Sequence, residues 1–299
     1  MIKVGLVCYD TQKKQLENML QNDNLKVIDL NYSGKNKLKK LLFIIKRILA
    51  VDIVYFGYGC YSLNKYLKIA NFFNKKVICH WIGTDVLRAK ESTNLKDIQK
   101  LISYNLAGSP LLKSELNELG IDAEEIAILP NSMNENYSKL PQDHGVVAYL
   151  PEGREEFYGI EHIKYAARNY NELKFYVVGN GNDKLNLPNV KFLGKISQDE
   201  MNNLYDKTTI LIRLPEHDGL SLMLLEALIK GKEVLYCYNF PHTRHIKDHS
   251  DLDEALTEIL SKKPYYNQNG HNYILDNYNI DLVKDKLYNT LKKVYEKRK

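Results

Sequence analysis

The strongest constraint on the fold is an alternation of short, continuously apolar runs with longer amphipathic stretches. In the first half of the chain the runs are rich in Val and Ile and fall at residues 2–7, 25–30, 52–56, 76–80, 104–107 and 126–129. Runs without polar alternation are typical of parallel strands, because helices cover both faces of a parallel sheet. The pattern therefore predicts an α/β domain with a doubly wound sheet.

A second series of the same kind follows a polar interruption. The interruption, residues 134–145, is punctuated by Pro141 and Gly145 and is the best linker candidate. Further strands are predicted at residues 146–150, 173–178, 190–193, 209–213 and 233–237, with helices at 160–169, 198–205 and 221–230. We therefore predict an N-terminal domain of residues 1–135 and a C-terminal domain of residues 136–280.

The last amphipathic stretch begins near residue 281. Apolar side chains recur there at steps of three and four residues: Val283, Leu287, Leu291, Val294 and Tyr295. This spacing predicts one helix with a single apolar stripe. We expect the C-terminal helix, residues 281–299, to pack back on the N-terminal domain.

Length and composition agree with a two-domain globular protein. The 299 residues suit two domains of ordinary size, and a net charge of +5 is mildly basic. None of the four cysteines forms a C-x-x-C pair, so zinc and redox motifs are unsupported and a reducing compartment is favoured. The N-terminus predicts a strand rather than a signal peptide, and no apolar run reaches membrane-spanning length. We therefore expect a cytoplasmic protein.

The most informative local segment is a predicted strand–turn–helix unit. The strand ends at Arg213, a polar turn contains Gly219, Ser221 is a good helix N-cap, and Gly231 closes the helix. Arg213 is itself a candidate phosphate ligand, because ligands of α/β sheets bind at the carboxyl ends of strands.

The turn before this helix has the chemistry of a diphosphate site. The N–H groups of Leu220, Ser221 and Leu222 open the helix, where its dipole favours an anion. Glu226 lies about two turns further on, inside an otherwise apolar run in which an unpartnered charge would be costly. Two interpretations stay open: Glu226 accepts hydrogen bonds from sugar hydroxyls, or it is an ordinary solvent-exposed residue of an amphipathic helix.

Residues 218–227 resemble the paired-acid signature of family 4 glycosyltransferases, which have the GT-B fold. That signature is Glu, seven residues, then Glu-Ala; here the acids are Asp218 and Glu226. The resemblance implies that Glu226 binds the nucleotide ribose and that Asp218 lies near the donor sugar, with Glu216 as the competing first acid. It also implies that the backbone between the acids, at Gly219, Leu220 and Ser221, holds the phosphates.

Other segments follow the order of the same family. Gly179 and Gly181 end a predicted strand and resemble the glycine loop that approaches the base and ribose. Lys195 and Ile196 follow the next strand, in the region where the family often contacts the base. A solvated loop lysine is the alternative for Lys195.

A cationic clamp is implied near the first turn of the second domain. The family usually carries an Arg after this strand and a Lys before a helix-opening Gly. Here Arg154 is the nearest arginine and Tyr158 stands where the Lys would be. The planar guanidinium of Arg154 suits phosphate oxygens; a surface ion pair with Glu155 or Glu156 is the alternative.

In the first domain, His80 and Asp85 lie at one predicted strand end. The family often places a histidine near this position, beside the reaction centre, so the resemblance implies catalytic roles for His80 and Asp85 together with Asp218. A structural, hydrogen-bonded histidine is the alternative. Residues 130–132 resemble the turns that lead towards the family's interdomain hinge.

The resemblance implies two Rossmann-like domains facing each other across a cleft and a hexosyl transfer from a UDP- or GDP-linked sugar to an acceptor hydroxyl, with retained configuration. The acceptor is expected to be a sugar, a lipid-linked molecule or a cell-envelope glycan, as in polysaccharide biosynthesis. No metal or cofactor is expected, because helix-terminus amides and arginine can stabilise a leaving diphosphate. A sugar-nucleotide epimerase, a phosphorylase and a non-catalytic nucleotide-sugar-binding protein stay open, since fold alone does not fix chemistry.

Residues 35–50 combine six basic residues with an apolar stripe and no acidic residue. Such a helix is able to lie on an anionic bilayer, which would place the protein at the inner face of the cell membrane. An ordinary sheet-covering helix with a lysine rim is the alternative. No aromatic–basic interleaving supports nucleic-acid binding.

Overall fold

The structure, a computed structural model, describes residues 1–130 and 136–297. Its internal contacts divide the chain into two compact units, Met1–Ser132 with Tyr278–Lys299, and Met133–Asn277. The sequence places the corresponding boundaries at residues 135 and 280. Asn131 and Ser132 of the predicted 130–132 turn lie outside the described residues.

The first unit is built on a six-stranded parallel sheet with the order β2-β1-β3-β4-β5-β6. Its strands are β1 Ile2–Val7, β2 Leu25–Asp29, β3 Ile53–Phe56, β4 Lys76–Trp81, β5 Tyr104–Ala107 and β6 Glu124–Glu125. Its helices are α1 Asp10–Met19, α2 Lys37–Leu49, α3 Lys65–Phe72, α4 Thr84–Lys90, α5 Leu95–Gln99, α6 Pro110–Glu118 and α12 Ile280–Glu296. All four residues of β3 are buried, as expected for a strand covered on both faces.

The second unit contains another six-stranded parallel sheet, with the order β12-β11-β10-β7-β8-β9. Its strands are β7 Gly145–Tyr149, β8 Lys174–Val178, β9 Val190–Gly194, β10 Ile210–Arg213, β11 Glu233–Tyr236 and β12 Arg244–His245. Its helices are α7 Ile160–Asn169, α8 Gln198–Tyr205, α9 Leu222–Ile229, α10 His249–Leu260 and α11 Gln268–Asn277. The predicted fold class, two doubly wound parallel sheets covered by helices, is confirmed.

Local sequence fixes several helix starts. Ser197 and Glu200 form a reciprocal capping box at α8, and Asn36 caps α2 by accepting from the Lys39 amide. Ser109 caps α6, where Pro110 occupies the first turn. The described part of the chain has no helix that is both long and apolar enough to cross a bilayer.

Two details differ from the sequence-based expectation. The apolar run 126–129 is buried apart from the half-buried Ile128, but it is not a strand: β6 occupies the two residues before it, and only the Ile126 amide extends the pairing, to the Ala107 carbonyl. An apolar run indicates that its residues are buried, but it does not indicate that they pair with a neighbouring strand. Tyr295, expected on the buried stripe of the last helix, is exposed, whereas Leu287 and Leu291 are fully buried.

Candidate active site

The strand order of the second unit marks one edge of its sheet as the candidate ligand site. The chain runs outward from β7 to β8 and β9, and then returns to place β10 on the other side of β7. In open α/β sheets, ligands bind outside the carboxyl ends of the strands at such a switch point. The last residues of the two strands there are Tyr149 and Arg213.

Arg213 is held by an ion pair at this edge. Its Nε lies 2.6 Å from Oδ2 of Asp218, and both side chains are almost fully buried. Burial opposes the charge of Arg213, but the Asp218 carboxylate outweighs it and raises the pKa of the guanidinium. The cation is also 5.7 Å from the Tyr149 ring centroid and 5.5 Å from that of Tyr158. Arg213 is therefore charged and fixed in orientation.

Arg154 approaches Tyr158 as well. Its guanidinium lies 4.4 Å from the Phe157 ring centroid and 5.3 Å from that of Tyr158, with the side chain exposed. The structure thus places two cations around one tyrosine, Arg213 buried and Arg154 open to solvent. Two guanidinium groups are well suited to bind a diphosphate.

The loops after β7 and β10 are fastened to each other. Gly159, with φ 78°, precedes α7, and a Cβ there would lie 2.4 Å from the carbonyl oxygen of Leu214. The Glu216 amide donates to the Phe157 carbonyl at 2.9 Å. This close approach requires glycine and brings the loop of Arg154 against the loop of Arg213.

The start of α9 completes the same edge. Ser221 caps the helix by accepting from the Leu224 amide at 3.3 Å, as its position in the sequence predicts. Gly219 and Leu220, just before the cap, are half-buried. The first-turn amides of a helix have no partner within it, so this terminus offers donors to an anion.

Glu226 lies on α9 and faces α8. Its carboxylate accepts from Gln198 Nε2 and from the Tyr205 hydroxyl, both at 3.4 Å. Burial raises the pKa of Glu226, while these two donors and the nearby Lys230 charge oppose the rise. Both bonds are long and therefore weak, so the half-buried carboxylate can accept from other donors.

The predicted glycine loop packs on this cluster. Gly179 has φ 97°, and a Cβ there would lie 2.7 Å from the Tyr149 ring. A Cβ at Gly181 would lie 3.7 Å from the Cα of Gly194, the last residue of β9. Lys195 and Ile196 follow at the same sheet edge, Lys195 exposed and Ile196 half-buried. Gly179 thus joins the arginine–tyrosine cluster through Tyr149, and the base-contact roles of Lys195 and Ile196 stay predictions.

The structure places His80 in the core of the first unit and not at a surface that a substrate could reach. The ring is fully buried in the first unit; Nε2 donates to the Ile126 carbonyl at 2.7 Å, and Nδ1 accepts from the Tyr55 hydroxyl at 2.5 Å. Burial lowers the pKa of His80 to about 4, so the ring is neutral near pH 7. A role at the reaction centre would require His80 to break both bonds, and the geometry does not support it.

Asp85 is likewise occupied. Its carboxylate accepts from the amides of Gly59, Ile82, Gly83 and Val86 at 2.6 to 3.1 Å, and the residue is buried. Burial raises the pKa of Asp85, against the lowering effect of these amides. The carboxylate ties two turns together and does not face a substrate, so the geometry gives no support to a catalytic role.

Sequence reasoning missed two tyrosines. Tyr149 contacts Gly179 and Arg213, and Tyr205 interacts electrostatically with both Glu226 and Arg213. Tyr149 was detectable as a residue near the carboxyl end of the predicted strand 146–150. Tyr205 had no local signal, because it stands in an ordinary amphipathic helix.

A cavity of about 790 Å³ lies at the opposite edge of the second sheet, where β7 begins at Gly145 and β8 at Lys174. We place the site at the carboxyl edge instead, because ligands of parallel sheets bind there. Among the described residues, no group of three or more His, Cys, Asp or Glu side chains could hold a metal ion.

Comparison with solved structures finds proteins that share this fold. Sucrose-phosphate synthase from Thermosynechococcus elongatus matches with a TM-score of 0.73 and 13% identity over 99% of both chains. The lipopolysaccharide outer core galactosyltransferase WaaB matches with a TM-score of 0.69 and 13% identity over 98% of this chain and 99% of its own.

A third match is a protein from Listeria monocytogenes assigned as a UDP-N-acetylglucosamine 2-epimerase, with a TM-score of 0.60 and 11% identity over 100% of this chain and 98% of its own. No family model and no curated protein sequence matches the chain. At these identities the likeness shows the fold, and that fold is the GT-B fold of group 1 glycosyltransferases.

Proposed function

We propose that the protein is a hexosyltransferase that moves a sugar from a UDP- or GDP-linked donor to an acceptor hydroxyl with retained configuration. The observation that carries this proposal is the pair of guanidinium groups, Arg154 and Arg213, around Tyr158 at the switch point of the second sheet. A sugar nucleotide presents the diphosphate that such a pair recognises.

Each group of this cluster has a role in the proposed reaction. The bond from the anomeric carbon to the diphosphate oxygen breaks, the bond to the acceptor oxygen forms, and the acceptor proton leaves with the nucleotide. Arg154, Arg213 and the first-turn amides of α9 stabilise the charge that develops on the diphosphate. Asp218 positions Arg213, and Glu226 accepts hydrogen bonds from the ribose hydroxyls.

The test is nucleotide binding by calorimetry with UDP, GDP and their sugars, followed by transfer assays. We expect Arg154→Ala and Glu226→Ala each to weaken nucleotide binding ten- to a hundredfold, about the worth of one charged hydrogen bond. Arg168→Ala is the matched control, because Arg168 is an exposed arginine in the last turn of α7. Near-normal affinity in the Arg154 and Glu226 variants would reject the assignment.

The similarity to the epimerase structure makes epimerisation of a sugar nucleotide a second candidate function. Interconversion of a free UDP-sugar without acceptor would identify an epimerase. Binding without turnover, with any acceptor, would identify a nucleotide-sugar-binding protein. Nucleotide release that depends on an acceptor would support transfer.

Helix α2 supports a proposed attachment to an anionic membrane. Leu38, Leu42, Ile45 and Leu49 follow one another at steps of four and three residues and so share one helix face. Its three leucines are open to solvent: Leu38 is 67% exposed, and Leu42 and Leu49 are each more than half exposed, while Ile45 is half-buried.

A different face of α2 already covers the first sheet. Ile44 and Ile48 are fully buried there, so the exposed leucines are not needed for the core. Lys39 and Lys46 lie beside the exposed stripe. Apolar residues flanked by lysines are the composition of an interfacial helix. The protein would then act at the inner face of the cell membrane, on a lipid-linked or envelope glycan acceptor.

Vesicle sedimentation tests this attachment, with phosphatidylglycerol–phosphatidylcholine vesicles against pure phosphatidylcholine. Neutralising Lys39, Lys40, Lys46 and Arg47 with Gln should lower binding to anionic vesicles at least tenfold, at about 1 kcal/mol per basic residue. The control replaces four exposed lysines of the second unit: Lys174, Lys184, Lys247 and Lys263. Equal loss in both variants, or no loss in the first, would eliminate the role of α2.

A further inference from the structure

Arg154 stands in a loop that is rich in glutamate. Residues 151–156 read Pro-Glu-Gly-Arg-Glu-Glu, so Glu152, Glu155 and Glu156 all lie within two positions of the arginine. The Arg154 side chain is exposed, and carboxylates this close in sequence are able to pair with it. A paired arginine would offer less positive charge to an anionic ligand. The structure gives two of these glutamates other partners.

Glu155 is held by Asn180, which lies between the two glycines of the glycine loop. The Nδ2 atom of Asn180 donates to Oε1 of Glu155 at 2.6 Å. A hydrogen bond from its own backbone amide lowers the pKa of Glu155, as do the Gly153 amide, the charge of Lys184 and the bond from Asn180, while burial opposes them. The carboxylate is therefore ionised and tied to the glycine loop.

The orientation of the Asn180 amide group is fixed by its own loop. Asn180 is 1% exposed, and its Oδ1 accepts from the Asn182 amide at 2.9 Å. The backbone carbonyl of Asn180 accepts from the Gly194 amide, also at 2.9 Å. Because Oδ1 has a donor, Nδ2 is the atom that faces Glu155, and a carboxylate is the partner that suits an N–H group. Asn180 is thus a fixed donor towards Glu155.

A second asparagine repeats this arrangement on the other side of Arg154. Asn182 Nδ2 donates to Oε1 of Glu152 at 2.9 Å, and the Glu152 amide donates to the Gly179 carbonyl at 3.4 Å. The glycine loop therefore holds one glutamate from each side of the arginine.

The Arg154 guanidinium lies against aromatic rings instead. It is 4.4 Å from the ring centroid of Phe157 and 5.3 Å from that of Tyr158. Aromatic faces attract a cation without cancelling its charge. The described carboxylates that form ion pairs with arginine do so with Arg213 and Arg244, and none does so with Arg154. The surface ion pair that the sequence leaves open is therefore not formed among the described residues.

We infer that Asn180 and Asn182 are positioning residues for nucleotide binding. They withhold Glu155 and Glu152 from the neighbouring guanidinium, so that Arg154 stays available to a diphosphate. This inference rests on the proposed function, because it takes the diphosphate as the ligand of Arg154. Without the bond from Asn180, Glu155 would compete with that ligand for the same cation.

The experiment is calorimetry with UDP and GDP on Asn180→Ser, Glu155→Gln and the double variant. Serine keeps an acceptor for the turn of the loop but is too short to reach Glu155. We expect Asn180→Ser to weaken binding about fivefold, as competition by one exposed ion pair would. Glu155→Gln should change affinity little, and the double variant should regain the affinity of Glu155→Gln. In an Arg154→Ala background, Asn180→Ser should have no further effect.

Asn189→Ala is the matched control, because Asn189 also holds a turn of the second unit but donates to the carbonyls of Ala167, Tyr170 and Leu173. Any loss of affinity in this variant should not be reversed by Glu155→Gln. Should Asn180→Ser fail to fold, Asn182→Ala with and without Glu152→Gln repeats the test on two exposed residues.

A loss of affinity that persists when the glutamate is neutralised would show a merely structural role and overturn the inference. Nucleotide binding that depends on Arg154 but on neither asparagine would overturn it as well, and would leave the proposed function in place. A wild-type protein that binds neither UDP nor GDP would overturn both.

Discussion

The Nε atom of Arg213 donates to Oδ2 of Asp218 across 2.6 Å, at the carboxyl end of β10. The residue that the paired-acid resemblance assigns to the donor sugar is therefore engaged with an arginine of its own unit. Tyr236, opposite Arg213 in the neighbouring strand, also hydrogen-bonds Asp218. In the proposed site, Asp218 would therefore act on a bound nucleotide through the guanidinium that it holds.

Removing one partner of this ion pair should destabilise the protein more than replacing both partners with apolar residues. Asp218→Asn leaves the buried cation uncompensated, and we expect the free energy of unfolding to fall by about 3 kcal/mol. In the double variant Arg213→Met with Asp218→Leu, the free energy of unfolding should fall by less, because no buried charge remains. Urea unfolding of the three proteins measures this difference, and equal losses in the single and double variants would contradict it.

Nucleotide affinity should depend on pH through Glu226. Burial raises the pKa of this carboxyl, so it takes up a proton at a higher pH than an exposed glutamate. Only the ionised form accepts strongly from ribose hydroxyls, so wild-type affinity should fall on acidification. Glu226→Gln should bind UDP more weakly and lack this component.

Calorimetry at several pH values measures the ratio of wild-type to Glu226→Gln affinity, in which titration of UDP itself cancels. The ratio should decrease towards 1 as the pH falls. A ratio that is constant across pH would show that Glu226 does not bind the ribose.

Stability should fall on acidification because His80 is buried in its neutral form. The pKa is about 4 in the folded state against about 6.5 in an unfolded chain, so the unfolded state binds more protons between these values. Stability is therefore retained above pH 6.5 and lost as the pH falls towards 4, by about 3 kcal/mol at 1.4 kcal/mol per pKa unit.

His80→Gln keeps a donor and an acceptor but cannot titrate, so it should lose this component of the pH dependence. His245→Gln is the control, because His245 is exposed. Thermal unfolding between pH 4 and 8 measures the slopes. A catalytic His80 would instead show unchanged slopes and abolished transfer.

Lys232 is a buried cation whose removal should stabilise the protein. It is 1% exposed, and within the described residues its Nζ has no hydrogen-bond partner. Burial lowers its pKa to about 8, so the unfavourable charge is present in full below pH 8 and disappears as the pH rises above that value. Lys232→Met should raise the free energy of unfolding by about 2 kcal/mol at pH 7 and by less at pH 10.

Exposed Lys191 supplies the comparison: Lys191→Met should change stability by less than about 0.5 kcal/mol. Denaturant unfolding at the two pH values is the measurement. A Lys232→Met protein that is less stable than wild type at pH 7 would show that the ammonium is solvated or paired.

The sheets were predictable because burial on both faces leaves a direct trace in the residues of each strand. Strand β3 is continuously apolar and β10 is apolar up to Arg213, and Ser221 and Ser197 mark helix starts by chemistry alone. The two-residue strand β12 has no such trace, because a strand of that length cannot show a period.

The site was predictable only in part, because its cluster depends on strand order. Arg154 and Arg213 are far apart in sequence and meet around Tyr158 because β10 returns to the side of β7. The resemblance proposes the acids and the glycine loop as site residues but does not predict the contacts that hold them. His80 and Asp85 show the converse. Their position at a strand end and the family resemblance predict catalytic roles, whereas the structure gives both residues hydrogen-bond partners within the fold.

Residues 133–277 form one unbroken stretch, whereas the other unit needs chain from both sides of it. In the sequence, the second unit is therefore inserted between two segments of the first unit. A gene fragment for 136–277 would encode an entire sheet with its helices, but a protein truncated after residue 132 would lose α12, whose Leu287 and Leu291 are fully buried. Exchange of a whole unit between chains by a single insertion in the gene is therefore open to the second unit and closed to the first.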